Sequence, residues 1–290
     1  MSNNDAIVVG VDGTGQSERA AVWAARQAAV FGRPLVLVYA MRMPVAAEAY
    51  SPMPLRATAL QPGVEEEPAR QWAHDMLERL AERCRAGTGV EVRTEVLPGE
   101  PAGALEQASD DAAFVVVGHT EEGGLARFLL GSTAQRLARS CPWPVVVVRD
   151  EVAVDQVGGP VVVGVDDLDE DAEAVRFAFD FALRHGLEVT VVHAEEDLAV
   201  DAEQRARGVP GDAGPAERHP GIEHQFVRRA GVAEQVLLDF SAGASLLVVG
   251  SHGKGAVRRA VLGSVSRVVI DRAACPVAVL PPKATTSALA

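Results

Sequence analysis

Cysteine, positive charge and long apolar runs are all scarce in this chain of 290 residues. Cys84, Cys141 and Cys275 are the only cysteines, scattered and without metal-ligand spacing. An odd, sparse set fits no disulfide framework and suits a reducing compartment with free, buried thiols. Lys and Arg number 27 against 40 Asp and Glu, a formal net charge of -13. That balance argues against nucleic acid as a partner, because phosphate backbones are held by basic faces. It leaves room for ATP, since one local loop can outvote the global field. No apolar run reaches the roughly 20 residues of a membrane span. The opening Met1-Ser2-Asn3-Asn4-Asp5 has neither the basic region nor the apolar core of a signal peptide. A cytoplasmic protein with no membrane partner is expected. Also missing are a Gly-Lys-Ser/Thr phosphate loop, a dinucleotide fingerprint and a nucleophile with a paired base. His74, His119, His185, His193, His219, His224 and His252 are scattered, and most read as surface or loop residues. No catalytic residue and no metal ligand is expected, so the chain reads as a non-enzyme.

What is present is 48% hydrophobic and 23% charged residues, enough for large cores in one or two domains. Ile7 to Val11 reads as a buried strand, Glu18 to Val30 as a helix closed by Gly32, and Leu35 to Tyr39 as a second strand. Strand, helix, strand with short connections implies a parallel sheet. The same order then returns. Val9-Gly10-Val11-Asp12 reappears as Val163-Gly164-Val165-Asp166, and Ala20, Gly32 and Ala40 as Ala174, Gly186 and Ala194, all 154 residues on. Further along, Gly118, Gly131, Ser132 and Pro144 pair with Gly250, Gly263, Ser264 and Pro276 at an offset of 132. The chain is therefore a tandem duplication of one α/β domain.

The second copy is 22 residues shorter between these registers. In the first copy, Trp72, Met76, Leu77 and Leu80 mark an amphipathic helix between Glu65 and Arg85. The counterpart, Glu195 to Pro220, is acidic and then rich in Gly, Pro and Arg, which predicts a mobile loop. Met41 to Gly63, with Pro44, Pro52, Pro54 and Pro62, reads as a surface loop leaving the carboxyl end of the second strand, where it would be placed to cover a site. Strands at Val145–Val148 and Val277–Leu280 close the two copies. The expected domains are 5–150 and 159–281, the latter lacking the second helix, with a disordered tail over 282–290.

The densest glycine pattern is Gly250-Ser251-His252-Gly253-Lys254-Gly255, then Gly263-Ser264. It lies between an apolar strand pattern and a helical one. Glycines let backbone N–H groups approach a phosphate closely. A serine at the helix N-cap sits beside free N–H groups and the positive helix end. The stretch is a candidate phosphate cradle; a plain glycine-rich turn is the alternative.

Val-Gly-Val-Asp at the first strand and Gly-x2-Gly-x9-Gly-Ser after the fourth resemble the universal stress proteins, across both copies. The resemblance implies two tandem open parallel-sheet domains, Rossmann-like and adenine nucleotide alpha hydrolase-like, packed as a pseudo-dimer. It implies ATP across the carboxyl ends of the first and fourth strands, in the variants that keep the glycine motif. Universal stress proteins pair through their last strands; a tandem chain would form that pair internally, with a homodimer of whole chains as a further expectation. By resemblance, Gly250, His252, Gly253, Gly263, Ser264, Val265 and Ser266 carry over as the phosphate side, and Asp166 and Ala194 as the adenosine side. In the first copy the matching positions are Asp12, Gly13 and Ala40, with Gly118, Gly131, Ser132 and Thr133.

Each copy departs from the pattern. Glu121 replaces the middle glycine in the first, and with Glu122 its charge repels phosphate. Asp167 stands where the first copy has Gly13, inside the acidic run Asp166 to Asp171. That run can hold Mg²⁺ beside ATP, repel ATP, or simply cap the next helix. Lys254 is either a phosphate contact or a solvated lysine, while Arg258 and Arg259 read as surface charges. The sequence thus predicts an ATP-binding regulatory protein of the stress-response type, with the better site in the second copy. The alternative is an interaction or structural module of the same fold without nucleotide. An ATP-dependent adenylating enzyme lacks the insertion such a role needs.

Overall fold

The computed structural model describes residues 5–42, 66–119, 131–149, 158–166, 171–195, 221–251 and 262–281. The first half runs β1 (Ile7–Gly10), α1 (Gly15–Phe31), β2 (Leu35–Met41), α2 (Glu66–Thr88), β3 (Val92–Pro98), α3 (Pro101–Ala108), β4 (Phe114–Gly118), α4 (Ser132–Ser140) and β5 (Val145–Val148). The second half runs β6 (Val161–Gly164), α5 (Ala172–His185), β7 (Val189–Glu195), β8 (His224–Ala230), α6 (Ala233–Ser241), β9 (Leu246–Gly250), α7 (Ser264–Arg272) and β10 (Val277–Leu280). The predicted loop over 196–220, the cover over 43–63 and the tail over 282–290 lie outside the described residues.

All ten strands form one sheet in the order β3-β2-β1-β4-β5-β10-β9-β6-β7-β8. Pairing is parallel within each half, and antiparallel only where β5 meets β10. The central strands are continuous apolar runs because helices cover both faces and leave no wet side to alternate toward. At the seam, Val145, Val146 and Val147 lie opposite Val279, Ala278 and Val277. Val146 and Ala278 are equivalent positions in the two copies, so the register is symmetric about that pair.

On one face, residues of α1, α2 and α5 share a core cluster with both halves of the sheet. On the other, α3, α4, α6 and α7 do the same. Each buried Leu, Val or Phe contributes about 1.5–3 kcal/mol, so the two halves are joined by core as well as by strands. On the first face an aromatic chain crosses the seam. Phe31 meets Phe181 at 5.7 Å and His185 at 5.9 Å between ring centroids, and Phe181 stacks on His185 at 4.4 Å. Phe31 and His185 are again equivalent positions. Burial pushes the His185 imidazole down to about 4, and its Nε2 is buried with no partner among the described residues. Cys84, Cys141 and Cys275 are buried and free. Burial pushes their thiols up to about 11, 11 and 12, which keeps them protonated.

Two local departures have simple causes. α1 begins at Gly15 rather than Glu18, because the Thr14 hydroxyl caps it by accepting from the Ser17 N–H at 3.3 Å. α7 begins at Ser264, with Gly263 rather than Ser264 as N-cap, because Gly263 has the extended ψ of 151° that a cap adopts. Gly32 and Gly186 close α1 and α5 in left-handed conformations, at φ 66° and 65°.

Candidate functional site

Strand order reverses direction between β1 and β4, and again between β6 and β9. Successive connections therefore leave on opposite sides of the sheet, and a crevice opens beyond the carboxyl ends of those strands. Because β5 and β10 run antiparallel, the two crevices lie on opposite rims of the sheet.

In the first half, Asp12 follows β1. Its Oδ1 accepts from the Thr14 N–H at 2.9 Å and the Thr14 hydroxyl at 2.6 Å, while its own N–H donates to Ser17 Oγ at 3.2 Å. Burial alone would raise the Asp12 carboxyl. Hydrogen bonds from the Thr14 and Ser17 hydroxyls and from backbone amides outweigh it and hold the group below its ordinary value. Gly13 has φ +83°, a conformation side chains rarely adopt. Gly118, ending β4, touches the same loop: a Cβ there would lie 3.2 Å from the backbone of Gln16 and Ser17. Ala40 lies in β2 opposite Leu97. Gly131 caps α4 with no side-chain hydrogen bond, and Ser132 and Thr133 form its first turn.

In the second half, Asp166 follows β6 and its N–H donates to Asp171 Oδ2 at 2.8 Å. Asp171 occupies the position of Ser17, so a carboxylate replaces a hydroxyl at the base of this loop. Ala194 lies in β7 opposite Arg229. His193, at the position of Tyr39, donates from Nδ1 to the Val165 carbonyl at 3.0 Å. Gly250 ends β9, and its carbonyl accepts the buried Ser266 hydroxyl at 2.6 Å. The Gly263 N–H donates to the Ser251 carbonyl at 3.0 Å. These two bonds clamp the base of the glycine loop. Gly263 caps α7 and, having no side chain, offers no side-chain hydrogen bond to the first-turn amides of Ser264, Val265 and Ser266. The Ser266 hydroxyl itself is turned to the loop. Its counterpart in the first half is Ala134, so that clamp is absent there.

His252, Gly253 and Lys254 lie outside the described residues, as do Glu121, Glu122, Asp167, Arg258 and Arg259. The remaining predicted positions fall at the two crevices, one set per half. The sequence reading gave no role to Thr14 or His193; the repeat offset pairs Ser17 with Asp171. It also grouped Trp72 with Met76, Leu77 and Leu80 as the apolar residues that mark α2. Trp72 is instead 49% exposed, beside Gly13 and edge-on to Tyr39 at 5.8 Å. Nor is His119 a surface residue: it is 2% exposed, with Nε2 3.8 Å from Asp271 Oδ1 on α7, across the seam.

A helix start whose N-cap, Gly263, brings no side chain fits a phosphorylated ligand, whereas bare Gly118 serves the close packing of β4 against the start of α1. Among the described residues no group of three or more His, Cys, Asp or Glu is placed to hold a metal ion.

The model of the universal stress protein family matches the chain twice, over residues 3–149 and 159–281. The chain belongs to the universal stress protein family. A universal stress protein of Mycobacterium tuberculosis is 35% identical over 287 residues, covering 94% of this chain and 96% of that protein. One of Mycolicibacterium smegmatis is 35% identical over 291 residues, covering 96% and 97%. Among solved structures, a universal stress protein from Archaeoglobus fulgidus matches with a TM-score of 0.74 at 19% identity, covering 96% of this chain and 98% of that one. The fold is thus that of a tandem universal stress protein, mixed α/β with a mostly parallel sheet. Among the described residues, no helix is long and apolar enough to cross a membrane.

Proposed function

We propose that this universal stress protein is an ATP-binding regulatory protein of the stress response, not an enzyme, with its triphosphate site in the second half. The observation that carries this is the clamped glycine loop. Ser266 holds the Gly250 carbonyl and the Ser251 carbonyl holds the Gly263 amide, so the loop base and the uncapped start of α7 are fixed beside each other. Backbone N–H groups at a helix start, with its positive dipole end, suit phosphate oxygens. Asp166 lies at the neighbouring strand end, where its carboxylate can accept from an adenine amino group or a ribose hydroxyl. Nucleotide occupancy would bias the conformation of the loop and hence the surface offered to a partner. The free, buried cysteines suit a reducing cytoplasm.

One observation favours an interaction module without nucleotide. The Asp171 carboxylate beside Asp166 adds negative charge to the crevice. Calorimetry with ATP decides between the two readings, using wild type, Gly263→Asp and Gly131→Asp. An aspartate at either cap would accept the first-turn amides itself and leave the helix stable. Wild type should bind. Gly263→Asp should lose at least about tenfold in affinity, the equivalent of roughly 1.4 kcal/mol, while Gly131→Asp should change little. Absence of binding in folded wild type would leave the interaction module.

A further inference from the structure

We propose that Trp72 is a base-stacking residue of the first-half crevice, so that this half selects its ligand by an aromatic base rather than by a phosphate chain. The inference rests on the adenine-nucleotide reading and deepens it, and it begins from an indole in an unusual place. The other two tryptophans, Trp23 and Trp143, are 4% and 7% exposed, whereas Trp72 is 49% exposed. An indole left that open keeps on the order of 100 Å² of apolar surface in water. α2 lies between the parallel strands β2 and β3, so it must run back from their carboxyl ends. Trp72 lies within its first two turns, on the rim that carries Asp12 and Gly13.

Two contacts hold the ring. A Cβ on Gly13 would come within 3.1 Å of the Trp72 Cη2, so the bare glycine and the indole fit each other. Tyr39, near the carboxyl end of β2, meets Trp72 with an interplanar angle of 72°. An edge-to-face pair covers at most one face of the indole, and the exposure shows that much of the ring stays open. Asp12, next to Gly13, is ionised and offers carboxylate acceptors for an exocyclic amine. A flat ring to stack on and an acceptor at its edge are the two contacts a purine base uses. The second half contains no tryptophan, and His193 stands at the position of Tyr39. Its described features, the Ser266 clamp and the start of α7, address phosphate instead.

The test is titration of the full chain with adenosine, and separately with ribose 5-phosphate, which lacks the base. Trp72 reports on the first half directly, because the other tryptophans are buried. In wild type, adenosine should quench the solvent-exposed tryptophan emission saturably and ribose 5-phosphate should not. Calorimetric affinity for adenosine should hold within about threefold in Trp72→Phe and fall about 5- to 150-fold in Trp72→Leu, the range of base–aromatic stacking. Ribose 5-phosphate binding should be the same in all three proteins. A purely supporting role for Trp72 would instead lower melting temperature or weaken both ligands together. If ATP binds wild type while adenosine leaves Trp72 emission and the Trp72→Leu affinity untouched, the inference is overturned and the proposed function stands. If no adenine compound binds, both fall.

Discussion

At the entry to the second half, one glycine decides how the chain may approach the sheet. A Cβ on Gly159 would overlap the Gly243 carbonyl oxygen, and the obstacle is backbone that cannot swing aside. Ser245 then ties the same turn down: its Oγ accepts from the Gly158 N–H at 3.2 Å and donates to the Gly159 carbonyl at 2.7 Å. Gly159→Ala should therefore destabilise the protein by about 1–3 kcal/mol or more, as overpacking against a fixed wall does. Gly158→Ala, with nothing within 4 Å of its Cβ, should stay within about 0.5 kcal/mol. Urea unfolding midpoints of the two variants check the contrast; equal midpoints would refute it. Single residues were the level least legible in the sequence. Asp12, Gly118 and Gly263 stand out because a motif places them. Trp72 against Gly13, and His119 against Asp271, join residues distant in the chain, and only the folded sheet brings them together.

Among the elements, α7 carries the clearest asymmetry between the halves. Its Ser266 bonds back to the end of β9, whereas α4 has Ala134 in the same place. Ser266→Ala should cost about 1 kcal/mol of stability, the net value of one hydrogen bond. It should also weaken ATP binding in the second half by loosening the loop base. Chemical unfolding and calorimetry on the same variant separate the effects, and an unchanged ATP affinity would show that the clamp is structural only. Several elements were legible, while β3, α3, β8 and α6 received no reading of their own. The legible strands read from apolar runs, and β5 and β10 match their expected bounds. α2 read from a stripe that Met76, Leu77 and Leu80 do bury. The start of α1 was not, because Thr14 caps the helix four residues ahead of Glu18, where the helical pattern begins in the sequence.

For the molecule as a whole, the seam between the halves sets a pH response. The His185 imidazole, wedged against Phe31 and Phe181, is held by burial at about 4, below its ordinary 6.5. Above about pH 6.5 both folded and unfolded forms are neutral there and stability is unaffected. As pH falls from 6.5 toward 4 the unfolded chain takes up the proton first, so the folded state loses stability across that window. His185→Phe, which gives the position the residue of its counterpart Phe31, should flatten this part of the profile. Unfolding free energies at pH 7 and pH 5 for both proteins measure it, and an unchanged slope would place the effect elsewhere. The doubling was legible from two ungapped offsets. The seam's symmetric register was not, since it depends on how β5 meets β10.

That strand pairing has a further meaning. Two separate copies would meet to an extent set by how much protein is present, and would part on dilution. Within one chain the partner strand is always at hand, at an effective concentration on the order of millimolar for a short connection. Two identical copies would also carry every substitution twice. Here a phenylalanine in one half corresponds to a histidine in the other, an alanine to a serine, and a hydroxyl to a carboxylate. Joined in one polypeptide, the halves are freed at once from dilution and from likeness.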